Sequence, residues 1–272
     1  MTELAAILRD LRDEGDELDS LVAGLDAAGW RAATPSPGWA IAHQVAHLAW
    51  TDEWTLRAVH EPAGFHSAAA ELLSGADEFE SLVDEGAEAG AALPPARLLA
   101  WWRDGRARVL EGLAEVPEGV RLPWFGPPMK ATSMATARIM ETWAHAEDVA
   151  DALGVKRVPT ARLRHIAHLG VRTMGFAFSA HGLPVPTQSA RVELTGPAGE
   201  LWTWGPEDAA DRIAGPALDF CLLVTQRRHR DDLALEVTGA MATAWAPIAQ
   251  VFAGPPGAGR APLGAGRAPL GT

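Results

Sequence analysis

The chain has 272 residues, more than one core usually organises, and two medium domains are expected. With 48% hydrophobic and 21% charged residues it can bury a sizeable core, which excludes disorder throughout. Its net charge of -12, with Asp and Glu spread along the chain, repels a phosphate backbone, so no nucleic-acid partner is expected.

The N-terminus, MTELAAILRDLRDEGDELDS, carries a charge every few residues where a signal peptide needs about seven apolar ones. No run of about eighteen apolar residues occurs elsewhere, so a cytoplasmic protein without a membrane partner is expected. The one cysteine, Cys221, lies in the apolar stretch ALDFCLLV and reads as an inert core thiol. Eleven Trp stand beside no Tyr. An indole buries a large face and donates one N–H, so several should line cores or a pocket.

In chain order, Leu4, Ile7, Leu8, Leu11, Leu18, Leu21, Val22 and Leu25 recur at three and four, predicting an amphipathic bundle helix. After the break GWRAATPSPGW, where Ser36 and Pro37 suit a helix start, Ile41, Val45, Leu48, Leu56 and Val59 predict a second. Residues 68–88 show a weaker pattern interrupted by Gly75, a broken helical excursion. Pro94 and Pro95 then open a clearer helix through Leu98, Trp102, Val109 and Leu113. The loop LPWFGPPMK follows, and SMATARIMETWAHAEDVADALG reads as a helix with Ser133 as N-cap and Gly154 as its stop. Four long helices favour an up-down-up-down bundle over residues 1–155.

From Ala161 a helix is expected to about Ala180, then strand-like ARVELTG and ELWTWG. A helix DRIAGPALDFCLLVTQRR, a strand-like LALEVTG and a last helix near Ala242–Phe252 complete a smaller α+β domain over residues 160–255. The whole is an α+β two-domain chain. Residues 256–272 repeat a Gly/Pro-rich unit that buries no core, so a disordered tail is expected.

The chemistry turns on spacing. Glu141 and His145, four apart on a helix, share one face, with Asp148 nearby. His43 and His47 are also four apart, and Trp50 and Trp54 continue their face. Glu and His buried side by side need a partner, and a divalent cation supplies one. Either pair alone is a weak signal. The remaining histidines, such as His165, read as surface or core residues.

GWAIAHQVAHLAW, a loop, METWAHAEDVADALG and a small α+β domain together resemble the actinobacterial mycothiol-dependent maleylpyruvate isomerase family, within the wider DinB-like, YfiT-like metal-binding bundles. The resemblance covers nearly the whole chain to about Gly257. It implies metal ligands at His47, Glu141 and His145; His43, one turn earlier and outside that pattern, is expected behind the ligands or on the substrate side. It also implies a sterol-carrier-like C-terminal domain closing over the metal pocket, and a substrate-directed arginine matched by Arg227 or Arg228. Arg can clamp a carboxylate with two parallel bonds. Asp148 is a candidate to orient His145.

Two His and one Glu leave coordination positions open, as in a catalytic site, and zinc is the first choice, with nickel, cobalt or manganese sharing the donor set. An open metal position deprotonates a bound thiol, and the resemblance implies mycothiol as co-substrate for isomerisation or S-transfer on a small electrophile. A metal-dependent hydrolase on the same scaffold and a non-enzymatic metal or small-molecule binder are the alternatives.

Overall fold

A computed structural model of the chain describes residues 2–74, 79–254, 256–257 and 259–263. The chain divides into two compact units, residues 1–157 and 158–272. The break expected at Gly75 and most of the Gly/Pro-rich tail fall outside the described residues. Among the described residues no helix is long and apolar enough to cross a membrane.

The first unit is helical. α1 (Glu3–Val22) buries the predicted Ile7, Leu8, Leu11, Leu18 and Val22. A short α2 (Ala27–Trp30), capped by the Asp26 carboxylate, leads to α3 (Ile41–His60). α4 (Phe65–Ser74) and α5 (Phe79–Ala91) carry the chain back, and α6 (Pro95–Glu115) starts with proline in its first turn. A two-residue ribbon, β1 (Arg121–Leu122) with β2 (Met129–Lys130), precedes α7 (Ala131–Leu153). α7 stops at Gly154, which takes a left-handed conformation at φ 66°, as its sequence predicted.

α1, α3, α6 and α7 form the bundle, but not in the expected up-down-up-down order. One apolar cluster joins Ile7 and Leu11 to Leu56, Leu113 and Met134, and another joins Leu18 and Val22 to Ile41, Leu98 and Val149. α1 and α7 therefore run one way and α3 and α6 the other, giving up-down-down-up. The reason is α5, which returns antiparallel along α3: a Cβ on Gly90 would lie 2.6 Å from Ala46 Cβ, and one on Gly86 3.1 Å from Trp50. That return restores the chain to the end where α3 began, so α6 repeats the direction of α3.

Two helix starts also differ from expectation. Ser36 and Pro37 lie in a tight turn, with Trp39 N donating to Ser36 O at 3.0 Å and Thr34 N to Trp39 O at 2.8 Å. α3 begins only at Ile41, where the His43 ring rather than a serine caps the Ala40 N–H. α7 begins at Ala131 before the expected Ser133.

In the second unit, the helix expected over 161–180 is two, α8 (Leu163–Arg172) and α9 (Met174–Ala180), broken at Thr173. β3 (Arg191–Thr195) and β4 (Leu201–Trp204) pair antiparallel as the sequence suggested. The single helix expected over DRIAGPALDFCLLVTQRR is instead β5 (Arg212–Pro216) followed by α10 (Ala217–Val224). Gly215 and Pro216 stop a helix, and the residues before them gain ladder bonds by pairing parallel with β3. β6 (Glu236–Thr238) gives the order β4-β3-β5-β6, and α11 (Ala240–Trp245) runs into a 3-10 turn at Ala246–Ile248, so the last helix stops short of the expected Phe252. Val192 and Leu194 alternate inward on β3 beside Ile213, and Phe220 and Trp245 complete this core. Cys221 is buried there, as expected of a core thiol.

Candidate metal centre

Helical spacing places His43, Gln44 and His47 in the first two turns of α3, and Glu141 and His145 one turn apart on α7. The two helices run antiparallel, so these faces meet. His47 Nε2 lies 3.6 Å from Glu141 Oε2, and His145 Nε2 lies 3.4 Å from the same oxygen. The two imidazole centroids are 4.6 Å apart. One ligand atom from each of the three residues falls within 4.8 Å of the others, a spacing that one divalent ion spans.

The surroundings fit a cation. Both histidines are buried, and Glu141 keeps about a quarter of its side chain exposed. Burial would raise the Glu141 carboxyl, but hydrogen bonds from His145 and His47 and their charge outweigh it and hold it well below the usual carboxylate range. Among the described residues His47 Nδ1 is buried without a hydrogen-bond partner, whereas His145 Nδ1 meets Gln44 Oε1. A partner on the nitrogen that faces away from a metal orients a ligating imidazole.

His43 stands apart from the ligand trio. Its Nδ1 accepts from Ala40 N at 3.1 Å, so its Nε2–H donates to Glu88 Oε2 at 2.7 Å. It joins the start of α3 to α5. Asp148, a candidate to orient His145, accepts a hydrogen bond from Ser36 Oγ at 3.0 Å. Arg227 and Arg228 belong to the second unit, just past α10. Arg227 Nη1 donates to Thr225 O and Arg228 Nη1 to Arg227 O, each at 2.7 Å.

Sequence reasoning missed the residues that cover and brace the trio. Trp39 packs over it, 5.5 Å from the His47 ring and 6.0 Å from His145, stacked at 17° on the latter, while its Nε1 donates to Asp84 at 2.9 Å. Gln44 had a signal: it precedes His47 by three and so shares its face. Thr34, Asp84 and Glu88 had none, because long-range folding brings them in.

Beyond Trp50, whose ring centre is 6.4 Å from His47, a cleft of about 640 Å³ follows the C-terminal half of α3, lined by Trp54, Arg57, His60 and Arg108 among others. Trp124 and Phe125 of the loop before α7 pack on the aromatic cluster at that end, Phe125 lying 4.9 Å from Trp54. Deeper in the seam, Arg138 Nε donates to Asp52 Oδ1 at 3.0 Å and Nη2 to Leu48 O at 3.2 Å, an ion pair almost without exposure.

A family model described as mycothiol maleylpyruvate isomerase N-terminal domain matches residues 11–150, and a shorter one, wyosine base formation, matches residues 186–236. Two uncharacterized proteins of Mycobacterium tuberculosis, from strains CDC 1551 and H37Rv, are each 54% identical over 261 residues, 96% of this chain and 100% of theirs. The crystal structure of a mycothiol-dependent maleylpyruvate isomerase superposes with a TM-score of 0.58 at 18% identity, covering 83% of this chain and 90% of that one. A histidine-to-alanine mutant of such an isomerase gives 0.60 at 17% identity, covering 86% and 93%. At those identities the likeness is one of fold. Matched over half its length and akin along nearly all of it to two full-length relatives, the chain belongs to the mycothiol maleylpyruvate isomerase N-terminal domain family.

Proposed function

We propose that the protein is a divalent-metal-dependent enzyme that activates mycothiol for S-transfer to, or isomerisation of, a small electrophilic substrate. The observation that carries this reading is the convergence of His47 Nε2, Glu141 Oε2 and His145 Nε2 on one point. Three protein ligands leave positions open for a reactant, where a structural site closes with four. The mixed nitrogen and oxygen set suits zinc first and admits nickel, cobalt or manganese. A divalent ion held there supplies the Lewis acidity that makes a bound thiol a thiolate near neutral pH.

The chain's own residues do the rest. Glu141, held as a carboxylate, contributes the one negative charge of the trio. Trp39 excludes water from one side of the imidazoles. His43, with both ring nitrogens engaged, positions α3 against α5 rather than moving a proton. The cleft beside Trp50 offers room for a small molecule.

The test is the metal content of protein purified without chelator, paired with mycothiol-dependent consumption of maleylpyruvate. About one metal per chain is expected, lost in His47→Ala, Glu141→Ala and His145→Ala and kept in His165→Ala. Metal without thiol-dependent turnover overturns the enzymatic assignment, and no metal even after reconstitution overturns the site.

A further inference from the structure

The hydrogen bonds behind His145 have a fixed polarity, and it can be followed from the backbone outward. Thr34 Oγ1 lies 2.8 Å from Trp39 O. A carbonyl oxygen only accepts, so the single hydroxyl proton of Thr34 is committed there. Gln44 Nε2 lies 2.9 Å from Thr34 Oγ1, which has only lone pairs left to offer, so the amide NH2 group must be the donor. The Gln44 side chain is thereby fixed with Oε1 facing His145. That oxygen accepts, so His145 carries its proton on Nδ1. In the neutral ring Nε2, the nitrogen on the Glu141 side, keeps its lone pair for a metal; in the charged ring Nε2–H meets the Glu141 carboxylate, and that is the proton a metal displaces.

We infer that Thr34 and Gln44 are positioning residues that set the tautomer of His145 for metal binding, starting from a backbone carbonyl of the turn before α3. The inference rests on the metal-site reading above and adds two residues to it. Gln44 is fully buried, so its amide has no water with which to exchange these partners. The neutral amide orients the imidazole without the added basicity that a carboxylate in the same place confers. Among the described residues no equivalent brace stands behind His47, whose Nδ1 meets no partner there. The two imidazoles are therefore unequal, His145 preset and His47 free to adjust on binding.

The experiment compares wild type with Gln44→Leu, Thr34→Val and Gln44→Glu. Zinc affinity is measured by chelator competition, and the protonation of His145 by long-range proton–nitrogen NMR on metal-free protein at a pH where imidazoles are neutral. Wild type is expected to show Nδ1 protonated. Gln44→Leu should bind metal about 10- to 100-fold more weakly. Thr34→Val, which preserves shape, should weaken binding in the same direction and mix the two tautomers. Gln44→Glu keeps an acceptor facing Nδ1 and should restore or exceed wild-type affinity. If Thr34→Val leaves tautomer and affinity unchanged, or wild-type His145 carries its proton on Nε2, the inference is overturned. A wild type that binds no zinc but shows Nδ1 protonated overturns the metal reading instead, which keeps the two failures distinct.

Discussion

At the scale of single residues, charges in the α3–α7 seam set what the site tolerates. Burial pushes the Asp52 carboxyl up, opposed by Arg138, so the pair is held by proximity in a place hostile to either charge alone. Arg138→Met leaves Asp52 buried without its cation and should cost about 3–5 kcal/mol in urea unfolding at neutral pH. That loss should shrink towards acid pH, as Asp52 takes up a proton. Glu141 behaves oppositely. Its carboxyl is held below its unfolded value, so its contribution to stability is complete above the usual carboxylate range and disappears as pH falls through the folded value. In chelator-stripped protein, the stability gap between wild type and Glu141→Gln should therefore be widest near neutrality and close on acidification, as read by unfolding curves at several pH values.

At the scale of elements, α5 packs beside the candidate metal residues. It meets α3 where Gly90 lets the backbones approach, and there Glu88 reaches His43 and Asp84 reaches Trp39. Gly90→Val places branched carbons against Ala46 and Trp101, an overpacking that should cost about 1–3 kcal/mol. The structural consequence should be local: faster amide exchange in α5 and greater quenching of Trp39 fluorescence, with α1 and α7 protected as before. The helix periods of α1, α6 and α7 were legible because each shows a clear apolar stripe. α5 was less so, its glycines being chosen for close approach rather than for helix propensity. β5 was misread because apolar content alone does not separate a short strand from a helix, and only its partner β3 decides.

At the scale of the whole molecule, each unit has its own core, and the first ends on a buried charge cluster. Arg157, its last residue, pairs with Glu14, with Glu17 at 3.0 Å and with Glu147 at 3.0 Å, and burial, which would lower its pKa, is outweighed by these carboxylates. Glu14 has no exposure at all. Arg157→Met takes the cation away from that buried carboxylate and should destabilise the first unit by about 3–5 kcal/mol. Calorimetry should then show the transition of the helical unit moved down while that of the α+β unit stays.

The α+β class was legible in the sequence itself, and the family and the candidate trio His47, Glu141 and His145 in its resemblance to known motifs. Apolar spacing and the four-residue interval of two ligands are local properties that survive without a partner in view. Only the tertiary structure decided that α3 and α6 run parallel, that His43 is held by Ala40 and Glu88, and that Gln44 and Thr34 stand behind His145. The physical reason is that, apart from the three-residue contact of His43 with Ala40, those facts are pairings across 10 to 101 residues, or depend on how a returning helix packs. No local period or propensity carries such information.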